Sequence, residues 1–183
     1  MRPLAKILLF VIIALAPCGA KSDLAVVGPP AGEQTLAIIV NQSNPVENFS
    51  YEDLRKIFLG ERSHWPNGRR ITLVMLDASL ERKVVLRDIY GMSEKDFDNH
   101  FIQGVFTGSV FVSPKTLANP SDVLKFVFNV PGAIGYVRAS DVDSSVKVLR
   151  VDGRLPEDKD YRFRLGTPTR VTTNGLGSSR SGN

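Results

Sequence analysis

Hydrophobic and polar positions alternate along this chain in two rhythms, and the switches between them mark out its elements. Residues 35–40 are a continuous apolar run rich in β-branched side chains, closed by Asn41-Gln42-Ser43-Asn44-Pro45, and predict a buried strand. The spacing then turns helical over residues 51–59, where Leu54, Ile57 and Phe58 fall at i, i+3 and i+4 and share one face. Ser50, followed three residues on by Asp53, carries the signature of a helix N-terminus, and Phe49 and Leu54 are spaced for a hydrophobic staple. Gly60 supplies a left-handed stop. After the turn Trp65-Pro66-Asn67-Gly68, residues 69–76 predict a second strand. In it Ile71, Leu73 and Met75 alternate with Thr72, Val74 and Leu76, so both faces can be covered.

Helical spacing returns at residues 79–90, with Leu80, Val84, Val85 or Leu86, and Ile89 on the apolar side and Gly91 at the end. Ser93 with Asp96 opens another helix, whose core face is Phe97, Phe101 and Val105 and which fades at Thr107-Gly108. Asn119-Pro120 opens a third, with Asp122 in its first turn and Val123, Leu124, Val127 and Phe128 as its core face. Pro131-Gly132 ends it. Residues 133–137 and 146–151 predict two closing strands, and Asp152-Gly153 a turn. The order β-α-β-α-α-α-β-β predicts an α/β domain, a small layered sheet with helices in two or three layers.

The two ends read differently. Arg2 and Lys6 precede ten apolar residues, 7–16, too few to span a bilayer comfortably, and Cys18-Gly19-Ala20 offers small residues for cleavage after Ala20. Residues 1–20 are therefore expected to be a signal peptide, with export to the periplasm and no stable membrane span after cleavage. The rival reading is lipoprotein anchoring at Cys18, against which Pro17 is a poor fit to a lipobox. Cys18 is the single cysteine, so cleavage after Ala20 leaves no thiol and no disulfide. Residues 21–34 form a flexible lead with Gly28-Pro29-Pro30, and residues 166–183 a tail with little to bury. Composition changes this picture little. The 183 residues are 43% hydrophobic and 23% charged, which suits one domain with a real core over residues 35–165. Taking Arg2 and Lys6 from the 23 basic residues leaves 21 against 19 acidic, a surplus too small to argue for nucleic acid.

Catalytic signatures are absent from the sequence. His64 and His100 are the two histidines, far apart, so no zinc cage is spelled out. No Gly-x-Ser-x-Gly elbow, dinucleotide fingerprint or Walker loop occurs. Neither cofactor nor catalytic set is expected. The candidate of interest is Asp77-Ala78-Ser79-Leu80-Glu81-Arg82-Lys83, where a strand end feeds a helix N-terminus. Free N–H groups and the helix dipole converge at such a place and suit an anion. Ser79 adds a hydroxyl, Leu80 lies at the first helical position, and Arg82 or Lys83 adds charge, while Asp77 and Glu81 oppose an anion. The competing reading is that Ser79 caps its helix and does nothing more.

Three blocks in order resemble a known family: residues 48–65 with Ile57-Phe58-Leu59-Gly60 and Trp65, the Ser79 turn into a helix, and Pro131-Gly132-Ala133-Ile134-Gly135-Tyr136-Val137. Together they are similar to the periplasmic phosphate-binding proteins of ABC transporters, within the type 2 substrate-binding proteins, over roughly residues 35–150. The resemblance implies one lobe of a two-lobed receptor, here without the amino-terminal lobe that carries a phosphate loop. It also implies that the turn after the second strand should read Arg-x-x-Gly-Ser-Gly-Thr. In this chain Met75 stands at the Arg, Ala78 at the first Gly, Ser79 at the Ser, Leu80 at the second Gly and Glu81 at the Thr. The expectation is therefore an exported, non-enzymatic binding-protein-like domain, taking phosphate or another oxyanion weakly through Ser79, Leu80 and Arg82. The alternatives are a protein–protein interaction or self-association module that has lost its ligand and, more distantly, a hydrolase using Ser79.

Overall fold

The structure, a computed structural model, describes residues 35–166. The expected signal peptide, the lead and the tail beyond Gly166 lie outside the described residues. Among the described residues, seven strands and four α-helices run in the order β1 (Leu36–Asn41), β2 (Asn48–Phe49), α1 (Tyr51–Phe58), β3 (Thr72–Leu76), α2 (Leu80–Val85), α3 (Glu94–Thr107), β4 (Lys115–Leu117), α4 (Pro120–Asn129), β5 (Ala133–Arg138), β6 (Val146–Val148) and β7 (Arg150–Val151). Five strands make one mixed sheet in the order β4-β3-β5-β1-β6, and β2 pairs with β7 apart from it. The apolar run of β1 is buried at all six positions because it lies between β5 and β6, antiparallel to both. β3 is parallel to both β4 and β5, so the carboxyl ends of these three strands leave the sheet along one edge.

The two-residue period of β5 shows how the layers are arranged. A Cβ on Gly135 would meet Val123 of α4, so that side of β5 faces α4. Its neighbour Tyr136 points the other way, its ring 6.4 Å from that of Phe58 in α1. Met75 of β3 also faces that way and accepts a hydrogen bond from the buried Tyr90 hydroxyl (3.3 Å). The molecule is thus three-layered, with α4 on one face and α1, α2 and the turn that follows α2 on the other. The expected caps form: Ser50, Ser93 and Asn119 each accept the backbone N–H three residues on. Gly60 takes φ 77°, and a Cβ there would lie 2.4 Å from the Val112 carbonyl, so glycine is required twice over.

Several expectations are corrected. The helix expected over 79–90 is α only to Val85 and then widens into a π turn, Leu86–Tyr90, ended by left-handed Gly91. The loosened carbonyls of that turn find donors on α1: the Tyr51 hydroxyl bonds Asp88 O (2.6 Å), and the Arg55 guanidinium bonds Ile89 O (3.0 Å) and Tyr90 O (3.3 Å). Leu80 does not join the core: it is 51% exposed, and Glu81 and Arg82 are buried beside it. Val105 and Phe128 are also exposed. On α3 the inward place goes to Gly104, where a Cβ would collide with Val110, so the helix packs by its backbone at that point. The second strand starts at Thr72, because Arg69 and Arg70 are held in the turn by Trp65 N–H to Arg69 O (2.8 Å) and by the His64–Arg70 bridge. The strand expected over 146–151 is two strands: β6 pairs with β1 and β7 with β2, with Leu149 between them. β2 and β4 were not foreseen.

Candidate functional site

Because β3 and β5 run parallel, Leu76 and Arg138 both end at the same edge of the sheet, and the Ser79 turn crosses it. Crevices outside the carboxyl ends of parallel strands are where open α/β sheets commonly hold ligands. The turn is tied down from two sides: Asp77 N–H donates to Leu117 O of β4 (2.8 Å), and Leu76 N–H donates to the buried Tyr136 hydroxyl (3.3 Å). Burial pushes the Tyr136 phenol far up, so it stays protonated.

Ser79 is extended, φ −139°, and its Oγ accepts the Arg82 N–H at 3.0 Å. Its carbonyl takes the Lys83 N–H at 3.2 Å. Leu80 heads α2 with its side chain in solvent. Glu81 is 5% exposed, and its carboxylate forms an ion pair with Arg138 at the end of β5. Burial acts to raise the Glu81 pKa. Hydrogen bonds from its own backbone N–H, from Arg138 and from the Ser79 hydroxyl outweigh that, and the net direction is down. The glutamate is therefore an anion, held among donors.

Arg82 is 9% exposed and is taken up on all sides. Its Nε reaches both Glu94 oxygens (3.1 Å each), and Nη2 reaches Oε2 (3.0 Å). Nη1 lies 3.5 Å from Leu76 O, and the guanidinium sits 4.9 Å from the Phe97 ring centroid. Burial alone would lower its pKa, but the Glu94 carboxylate reverses this, and the net direction is up.

The structure therefore brings Ser79, Leu80 and Arg82 into one turn, with the hydroxyl of Ser79 engaged in capping and Arg82 paired. It adds Arg138, Glu94 and Tyr136, none of which the sequence marks as a site residue. The signal for Arg138 lay in the alternation of β5: the side of Tyr136 is also the side of Arg138. Among the described residues no group of His, Cys, Asp and Glu gathers to hold a metal, and no helix is long and apolar enough to cross a membrane.

A mixed sheet with helices on both faces and a helix-opening turn at its carboxyl edge defines a three-layer α/β domain, and known proteins are similar to it. No family model matches the chain. Phosphate-binding protein PstS of Bacillus subtilis (strain 168) is 28% identical over 130 residues, covering 68% of this chain and 38% of that protein. Among solved structures, a Clostridium perfringens protein assigned as a phosphate ABC transporter substrate-binding protein, with bound phosphate, superposes with a TM-score of 0.54 at 22% identity, covering 66% of this chain and 46% of that one. PstS from Borrelia burgdorferi gives 0.53 at 16%, covering 67% and 49%. The chain spans less than half the length of the relatives it matches, and at these identities the solved structures speak to the fold.

Proposed function

We propose that this chain is an exported, non-enzymatic binding-protein domain that takes phosphate or a related oxyanion only weakly, at Ser79, Leu80 and Arg82. Residues 35–165 form the binding domain, behind a signal peptide over 1–20 and the lead over 21–34 and ahead of a tail over 166–183. The periplasm is its place. The likeness to phosphate receptors supports an oxyanion as the ligand class. The observation that carries the word weakly is the buried Glu81 carboxylate in the turn itself. In the first turn of α2 the Arg82 N–H is already taken by the Ser79 Oγ, which leaves fewer free donors there for a ligand. Ser79 contributes a hydroxyl, and Arg82 a charge already balanced by Glu94. A negative ligand a few ångströms from Glu81 meets a repulsion on the order of a few kcal/mol at a surface-like dielectric.

Ligand linkage supplies the test. Millimolar phosphate should raise the melting temperature of the protein, and Ser79→Ala should abolish the rise. No rise with phosphate, sulfate or a related oxyanion would sink the reading.

The second reading, an interaction or self-association module, draws on α3. Ile102, Val105 and Phe106 fall at i, i+3 and i+4 on its outer side, and Phe106 is 87% exposed. This reading expects sedimentation to show a complex that Phe106→Glu dissolves. A protein monomeric at all concentrations and without partners would end it.

A further inference from the structure

We infer that α3 docks antiparallel on the α3 of a second copy of this chain, with the outer Ile102 of one copy against Phe106 of the other. The inference rests on the reading of α3 as an interaction surface and names what covers it. Ile102 and Val105 are more than half exposed and Phe106 almost wholly so, while Phe97, Phe101 and Gly104 of the same helix face the core. At about 100° per residue the three exposed side chains form one outer patch within roughly a turn and a half of helix. Phe106 alone offers on the order of 200 Å², and the patch roughly 400 Å², the size of a functional patch on a monomer. Two such patches with their polar surroundings bury roughly 1,000 Å², which is the low end for specific association and fits a reversible dimer.

Charge sets the direction of the pair. Glu94, Asp96 and Asp98 gather in the first turns of α3, and its last turn carries neither acid nor base. A parallel pair would bring the carboxylates of both copies together at one end. An antiparallel pair sends them to opposite ends and opposes the two helix dipoles. A twofold axis through the middle of the patch, level with residue 104, then makes the contact reciprocal. Ile102 of each copy meets Phe106 of the other, with both Val105 side chains between them. Such a contact closes on itself and stops at two copies. The same acids turn away an anionic lipid surface, since Lys95 is the one lysine or arginine on this helix. The open edge of the sheet is a poorer docking element: β4 has three residues, begins with Lys115 and follows Pro114, features that blunt an edge against another strand.

The experiment is sedimentation equilibrium on the full chain over a wide range of concentration, with the wild type, Ile102→Glu, Phe106→Lys and an equimolar mixture of the two variants. The wild type should dimerise reversibly. Each variant alone should weaken the dimer at least about tenfold, because it puts an uncompensated charge into an apolar contact. The mixture should regain the dimer. Across the twofold axis the introduced carboxylate then faces the introduced ammonium, and the other Ile102–Phe106 contact stays intact. Both positions are exposed, so the variants should melt with the wild type, which separates lost docking from lost folding. A dimer that survives both substitutions overturns the inference, and so does a mixture no more associated than its components. A dimer built on another surface, or a monomer whose α3 binds a different protein, overturns it and leaves the interaction-module reading standing; a monomer without partners ends both.

Discussion

Ser93 and Ser79 open neighbouring helices with the same cap, and the third helical residue makes them different. At α3 that residue is Asp96: the Ser93 Oγ accepts its N–H (3.2 Å), and the Ser93 hydroxyl donates back to its carboxylate (2.6 Å). Ser50 with Asp53 repeats the arrangement on α1. These caps are closed, exposed units whose charges are solvated. At α2 the third residue is Arg82, whose side chain offers the Ser79 hydroxyl no acceptor, so the return bond of the other two caps has no counterpart there. The turn then buries one acid and one base, each satisfied from another element: Glu81 from β5, Arg82 from α3. One residue decides whether a cap ends its own business locally or joins distant parts of the fold.

The largest break in this comparison should come from Arg82→Ala. It removes the Glu94 pair, the Phe97 contact and a buried aliphatic stem, and we expect a loss of about 2 kcal/mol in urea unfolding. The half-exposed Glu94 can be rehydrated, which keeps the loss below that of a wholly buried pair. A smaller effect appears in acid. The folded pKa of Glu81 lies below its ordinary value of 4.5, so its contribution is fully present above that value and is lost as pH falls through the lowered one. The stability difference between wild type and Glu81→Gln should stay constant above pH 4.5 and shrink below it; a difference that does not change with acid would contradict the ion pair. The smallest break is Ser93→Ala, worth about 1 kcal/mol as a lost cap. It is the control for Ser79→Ala: it should cost similar stability and leave any phosphate response untouched.

Much of this was legible in local signals. Caps, stops and strand runs announced themselves at Ser50, Ser93, Asn119, Gly60, Gly91 and residues 35–40, because each depends on a few adjacent residues. Chemistry at a distance was not. Periodicity assigns leucine inward and glutamate outward, and at α2 the reverse happens: Leu80 is in solvent and Glu81 is buried, because the partner that permits the burial is Arg138. Val105 and Phe128 failed for a related reason, since a helix can touch its neighbours over a narrower stripe than its apolar residues cover. β4 escaped notice because three residues carry no period, and it exists through pairing with β3.

The seating of β1 between β5 and β6 has a consequence for biosynthesis. Of the described strands a ribosome releases this one first, and roughly ninety residues must follow before its first sheet neighbour exists, which at 5–20 residues per second is about 5–18 seconds. Until then the sheet cannot close around it, and the nascent chain stays in a state that can still be threaded through a translocation pore. For a chain proposed to leave the cytoplasm, late closure of the sheet is an advantage. The same delay leaves an unpaired apolar strand in need of a chaperone on the way.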